Sequence, residues 1–209
     1  MAIGGKNGSS WSLRPWLAMK AFGIPFSETP IQLRRPETAA EILRHSPSAK
    51  VPVLKSDGLL IWDSLAIIEF LAEQHPNKGL WPADVAARAT ARCVSAEMHS
   101  GFQALRNECP MDFLSVLGFP DASAQALADI SRVAGIWADC RRRFGGGGAF
   151  LFGGFSAADA MFAPVASRFR TYEVDLSRFG DDGTAARYRD TMMAMPEMLA
   201  WAEGAKADM

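Results

Sequence analysis

The sequence predicts a small α/β domain followed by an all-α domain, and three observations carry that prediction. Within residues 1–78, short apolar or β-branched runs alternate with stretches of helical apolar spacing. A polar stretch follows, punctuated by Gly79 and Pro82, and reads as a linker. From 86 to 209 the apolar period is helical almost throughout.

Ala2-Ile3 opens a strand that gives way to Gly4-Gly5-Lys6-Asn7-Gly8-Ser9-Ser10, expected as a flexible polar loop. Leu13, Trp16, Leu17 and Ala21 then recur at helical spacing, with Ser10 or Ser12 as the cap and Pro15 tolerated in the first turn. Gly23-Ile24-Pro25 stops that helix. Residues 26–33 read as extended, and Pro30 places them at a sheet edge because proline has no N–H for a ladder. A short helix over 37–44 precedes two strands, 51–54 and 59–62, joined by Asp57-Gly58, a strong hairpin signal. Leu65, Ile68, Leu71 and Ala72 trace one face of a third helix, which ends at His75-Pro76.

In the second domain a long helix is expected over 86–108, broken at Cys109-Pro110. Another follows over 122–144, with Leu127, Ile130, Val133 or Ala134, and Trp137 facing inward. The four glycines at 145–148 imply a mobile loop, and no Lys-Ser/Thr pair follows to make them a phosphate cradle. Ser156-Ala157-Ala158-Asp159 is a capping box, with Asp in the usual place of Glu, at the head of a helix. Pro196 and Trp201 belong to a terminal segment covering this layer.

Composition narrows the function classes. The 209 residues are 49% hydrophobic and 22% charged with a formal net charge of -1, which offers no electrostatic pull toward nucleic acid or an anionic membrane. Arg141-Arg142-Arg143, the densest basic run, reads as a solvated helix end. Cys93, Cys109 and Cys140 form no dithiol or metal spacing, and their odd number favours a reducing compartment. His45, His75 and His99 are scattered, so no metal is expected. Without a signal-like start or a membrane-length apolar run, a cytoplasmic location is expected.

The chemistry concentrates at Lys50-Val51-Pro52-Val53-Leu54 and Asp63-Ser64. A proline heading a β-branched run sits at the first residue of a strand or beside a binding edge. Asp63-Ser64 heads an apolar helix, where free N–H groups await an acceptor. The pair reads either as two backbone surfaces facing one small ligand or as an ordinary hairpin followed by a capped helix.

Taken with Ser9-Ser10-Trp11-Ser12-Leu13-Arg14 and Ser156-Ala157-Ala158-Asp159 in this order, these motifs make the chain resemble the glutathione S-transferase family over essentially its full length. The first motif is most similar to serine-type bacterial transferases and the zeta group, which includes maleylacetoacetate isomerase. The resemblance implies a thioredoxin-like N-terminal domain plus an all-α C-terminal domain, glutathione as cosubstrate without a metal, and a homodimer. It implies that Val51 meets the cysteinyl part of glutathione beside a cis Pro52, that Asp63 and Ser64 hold the γ-glutamyl end, and that Lys50 approaches the glycyl carboxylate or is simply solvated. Ser9, five residues before Arg14, is implied as the thiol contact, with Ser10 as its competitor and Ser12 as a cap or helix-face residue. A hydroxyl hydrogen bond favours thiolate over thiol. Arg14 braces the loop, adds positive potential, or pairs with a carboxylate at the domain interface.

Trp11 stands where the zeta pattern has a cysteine, which puts conjugation to a small hydrophobic electrophile ahead of cis–trans isomerisation. Trp11, Met98, Phe102 and Met111 are expected along the electrophile cleft unless they are core, with His99 and Arg106 as polar contacts. A noncatalytic glutathione-binding or interaction protein is the reading from a different class.

Overall fold

Short strands and helices alternate in the amino-terminal half, as the apolar spacing predicts. The computed structural model describes residues 1–208, so Met209, the expected end of the helical domain, lies outside the described residues. The first half comprises β1 (Ala2–Gly4), α1 (Ser10–Ala21), β2 (Thr29–Ile31), α2 (Thr38–Leu43), β3 (Val53–Ser56), β4 (Leu59–Trp62) and α3 (Ser64–Gln74). The second half is helical: α4 (Val85–Ser100), α5 (Gln103–Glu108), α6 (Ala124–Phe144), α7 (Ala157–Thr171), α8 (Thr184–Met193) and α9 (Pro196–Ala207).

The sheet order is β2-β1-β3-β4, with β1 parallel to β2 and antiparallel to β3, and β3 antiparallel to β4. Pro30 lies on the edge strand β2, where its missing N–H costs no ladder bond. Asp57 and Gly58 take φ of 49° and 81°, the pair of positive values that a two-residue hairpin of matching twist needs. β3 begins at Val53 rather than at the expected Val51, because β1 pairs with it only at Ala2↔Val53 and Pro52 has no N–H to extend the ladder.

α1 starts at Ser10, with Ser9 in the cap position, so neither Ser10 nor Ser12 is the cap and Pro15 falls in the second turn. There Pro15 removes the N–H that would meet the Trp11 carbonyl. At the other end, Ile24 N–H reaches Met19 O at 2.8 Å and Gly23 N–H reaches Lys20 O at 3.1 Å, a Schellman closure.

The long helix expected over 86–108 is two helices. Phe102 takes a left-handed φ of 61°, and a Cβ on Gly101 would lie 2.9 Å from Glu97 O, so the chain turns there rather than at Cys109-Pro110. Arg106 Nε–H donates to Gly101 O at 2.9 Å and Nη2 donates to Met98 O, satisfying carbonyls that α4 leaves free at its end. α6 begins at Ala124 with the Ser123 hydroxyl accepting from Ala126 N–H, and Leu127 is only half-buried. The glycine tract expected as a mobile loop is tied down. Arg141 donates to Phe150 O at 2.9 Å and to Gly148 O at 3.0 Å.

α7 forms the centre of the helical half and packs against α1, α4 and α8. Trp137 of α6 meets Phe162 and Phe169 of α7 and Tyr188 of α8 at ring-centroid distances of 6.0, 5.3 and 4.8 Å. Asp159, at the head of α7, has no exposed surface. Its carboxylate accepts from Ser156 N–H (2.8 Å), the Ser156 hydroxyl (2.8 Å), Leu151 N–H (3.0 Å) and the Tyr188 hydroxyl (3.0 Å). The return bond to the cap N–H is the one the capping box calls for, while Ser156 Oγ also donates to the carboxylate. Burial pushes the Asp159 pKa up against these hydrogen bonds. Asp159→Ala strands several buried donors at once, so a loss of about 3 kcal/mol or more is expected in urea unfolding, with a smaller loss for Asp159→Asn.

Candidate active site

Two chain segments and one helix terminus enclose a cleft of ≈ 600 Å³, lined by Trp11, Lys50, Val51, Pro52, Asp63 and Ser64 with Ile42, Ser48, Ala49 and Trp62. That volume suits a small peptide-sized ligand. The Val51-Pro52 bond is cis. Lys50 is exposed at the rim, and Ser64 is buried at the first turn of α3.

Asp63 does two things with one carboxylate. Oδ1 accepts from Leu65 N–H at 2.9 Å and Ala66 N–H at 3.3 Å, capping α3 without using the Ser64 amide. Oδ2 lies 3.1 Å from His99 Nε2 on α4, which ties the two halves together across the cleft. The Asp63 backbone sits at φ 75°, a conformation that costs a non-glycine residue and concentrates at binding sites. Burial lowers the His99 pKa, with Arg14 and Arg106 adding to the shift and Asp63 opposing it.

Next to the cleft, the amino end of α1 is held from three sides. The loop expected to be flexible is pinned instead. Asn7 Nδ2–H donates to Asp112 at 2.9 Å, its Oδ1 accepts from Leu114 N–H at 2.9 Å, and its backbone O accepts from Phe113 N–H at 2.9 Å. Trp201 Nε1–H on α9 donates to Lys6 O at 2.8 Å, and Lys6 Nζ pairs with Glu28 at 2.7 Å. Ser9 and Ser10 are both buried and neither is among the residues lining the cleft, whereas their neighbour Trp11 is. The Ser9 hydroxyl donates to Ser12 Oγ at 2.8 Å.

Arg14 lies fully buried behind this wall. Its Nη1 reaches Ser64 Oγ at 3.4 Å, while Nε and Nη2 have no hydrogen-bond partner among the described residues. Among the described residues no carboxylate is hydrogen-bonded to it. Burial first, then Arg106 and Arg168, hold its pKa well below the usual guanidinium value. The Arg14 and Arg106 guanidiniums lie 4.3 and 4.9 Å from the Trp11 ring centroid, and His99 meets the same ring edge-on at 5.2 Å.

Residues 8–74 match the family model described as glutathione S-transferase, N-terminal domain, and residues 120–204 match glutathione S-transferase, C-terminal domain. Maleylacetoacetate isomerase from Rattus norvegicus is 32% identical over 178 residues, covering 83% of this chain and 79% of that protein. The chain belongs to the glutathione transferase superfamily. A probable maleylacetoacetate isomerase from Caenorhabditis elegans is 38% identical over 102 residues, and that match spans 49% of this chain and 47% of the relative's length. A solved maleyl pyruvate isomerase, described as a bacterial zeta-class glutathione S-transferase, superposes with a TM-score of 0.75 at 21% identity, covering 98% of both chains.

Within this transferase fold, Met98 and Phe102 are not cleft residues. Met98 has no exposed surface and Phe102 is 7% exposed; with Met111 they sit in the core, so the expectation that they line the electrophile site is corrected. α4 turns Met98 inward because its apolar face packs on α7. Ile42, Ser48, Ala49 and Trp62 line the cleft without having been expected there; Trp62 alone carried a signal, as an aromatic residue directly before Asp63. Among the described residues, no group of three or more His, Cys, Asp or Glu side chains gathers to hold a metal ion. Among the same residues, no helix is long and apolar enough to cross a membrane.

Replacing a buried, incompletely paired charge by an apolar chain of similar length removes a desolvation cost. Arg14→Met is therefore expected to leave the unfolding free energy unchanged or to raise it by up to about 2 kcal/mol in urea titration. A drop of more than about 1 kcal/mol would show that stacking on Trp11 outweighs desolvation.

Proposed function

We propose that the protein is a glutathione-dependent cis–trans isomerase acting on an unsaturated, carboxylate-bearing substrate of the maleylacetoacetate type. The observation that carries this reading is the Arg14–Trp11–Arg106 stack, two guanidiniums to which no carboxylate among the described residues is hydrogen-bonded. An anionic substrate gains from that potential, whereas a neutral hydrophobic electrophile does not. The isomerase names of the rat and nematode relatives support the same choice. General conjugation is the second reading, favoured by Trp11 standing where the zeta pattern has cysteine and by the exposed Trp11 and Trp62 rings.

Glutathione supplies a sulfur nucleophile that adds to a conjugated double bond and later leaves it, so the former double bond can rotate in between. The chain's own residues bind and orient. Ser64, at the positive amino end of α3 and backed by Arg14, receives a carboxylate, which makes it the γ-glutamyl anchor. Val51 beside Pro52 offers backbone groups to the middle of the peptide, and Lys50 faces its glycyl end. Ser9, at the cap of α1, donates to the sulfur and favours its thiolate, and Ser10 is its alternative. Arg106 and His99 face the substrate carboxylates. Residues 1–78 form the glutathione-binding domain and 86–209 the helical domain of this proposal, placed in the cytoplasm.

Ser64→Ala is expected to raise the glutathione Kd about tenfold with little loss of kcat. Ser9→Ala is expected to lower kcat about 100-fold while glutathione still binds. Conversion of a cis-configured dicarboxylate to its trans isomer, read from the vinyl signals in proton NMR with glutathione recovered unchanged, separates isomerisation from conjugation of an aromatic electrophile. No glutathione binding by the intact chain would sink both enzyme readings, and binding without any turnover would favour the noncatalytic one. A homodimer is part of the proposal, supported by exposed Leu59 and Leu60 on the edge strand β4. Light scattering on a sizing column should give twice the chain mass, and a monomer at micromolar concentration would refute it.

A further inference from the structure

Ser12 has no exposed surface and no part in the chemistry above, yet its hydroxyl holds two hydrogen bonds. It accepts from Gly4 N–H at 3.1 Å and from the Ser9 hydroxyl at 2.8 Å. The i, i+3 spacing puts Ser9 and Ser12 on one side of the first turn of α1. Gly4 makes the approach possible, because a Cβ there would lie 2.9 Å from Ser9 Oγ and 2.5 Å from Leu33 Cδ1. The strand end, the cap and the third residue of the helix thus form one chain of dipoles.

A hydroxyl carries one proton and two acceptor sites. In the present arrangement the Ser9 proton is directed at Ser12, so Ser9 has none to offer an outside acceptor. The present heavy-atom angles suit Ser9 as the donor; with a small swing of the Ser12 side chain as well as rotation of both O–H bonds, Ser12 donates to Ser9 Oγ and the Ser9 proton turns outward, while Gly4 N–H remains on Ser12. No covalent bond changes in that reversal, and the proton lost by a thiol goes to water.

We propose that Ser12 is a positioning residue for Ser9: by donating back to Ser9 Oγ, it turns the Ser9 proton toward a bound thiolate. In the reversed state three donors stand in series, from Gly4 N–H through Ser12 and Ser9 to sulfur, and each polarises the next. A thiolate is favoured over a thiol by such a chain more than by Ser9 alone. This deepens the functional proposal and rests on its assignment of Ser9 as the thiol partner.

The test is the pKa of glutathione bound to the intact protein, read from thiolate absorbance in a pH titration, in the unsubstituted chain and in Ser12→Ala, Ser12→Cys and Ser9→Ala. The charged groups around the cleft, Arg14, Lys50, Asp63, His99 and Arg106, are common to all four. Ser12→Ala should raise the bound thiol pKa by about one pH unit, a tenfold loss of thiolate below it, with the glutathione Kd within about twofold. The pH limb of kcat/KM should move by the same amount while KM for glutathione stays put. A rise in Ser9→Ala with no change in Ser12→Ala overturns the role of Ser12 and leaves that of Ser9 standing. No change in either overturns the Ser9 assignment itself. If Ser12→Ala does not fold, Ser12→Cys keeps the volume with a weaker partner, and an unshifted thiol pKa in that variant overturns the proposal.

Discussion

The placement of the amino end of α1 is the constraint on which the rest of the structure depends. This helix is buried along most of its length between α3 and α7, so its first turn cannot shift without disturbing both halves. The loop leading into it is short, polar and glycine-rich, a composition with little tendency to hold one shape. Its order is imposed from outside, by Asn7 against the segment after α5 and by Trp201 of α9 against Lys6 O. The C-terminal helix thereby helps to set the position of Ser9, nearly two hundred residues earlier in the chain.

Electrostatics around the cleft follow from what burial leaves unpaired. Arg14 and Arg168 are buried and Arg106 is half-buried, and their direct hydrogen bonds are to carbonyls or to a serine hydroxyl rather than to carboxylates. A fold optimised for stability alone has little reason to keep such charges, since desolvation of an ion exceeds what neutral partners return. Stacking on Trp11 recovers part of that cost for Arg14 and Arg106. Asp63, the acid whose charge acts on Arg14, is divided between capping α3 and meeting His99, while Asp129 acts on Arg106. The result is a net positive wall behind a helix amino terminus, a setting suited to anions.

Legibility in the sequence tracked how local each cause was. The Asp57-Gly58 hairpin, the Asp63 cap, the stop at Gly23 and the Ser156–Asp159 box all act within a few residues, and all appear where their motifs stand. The helix expected over 86–108 breaks at Gly101 although its apolar period runs on; the break is held by Arg106, whose bonds to the free carbonyls are a tertiary matter. Met98 and Phe102 carry the same ambiguity, since the spacing that puts a side chain on one helix face does not say whether that face meets a ligand or α7.

What the sequence by itself determined is the order of elements, the family-like motifs and the residues at the two helix amino termini, because each rests on backbone preferences that act over one turn or one hairpin. Only the tertiary structure decided that Trp11 is stacked by Arg14 and Arg106, that His99 meets Asp63, and that Ser9 leans on Ser12 and Gly4. Trp11–Arg14 and Ser9–Ser12 lie within the first turns of α1 and Gly4 reaches Ser12 because β1 runs close by, but Trp11–Arg106 and His99–Asp63 join segments far apart in the chain. Their existence follows from how the helical half closes over the α/β half, which no local preference encodes.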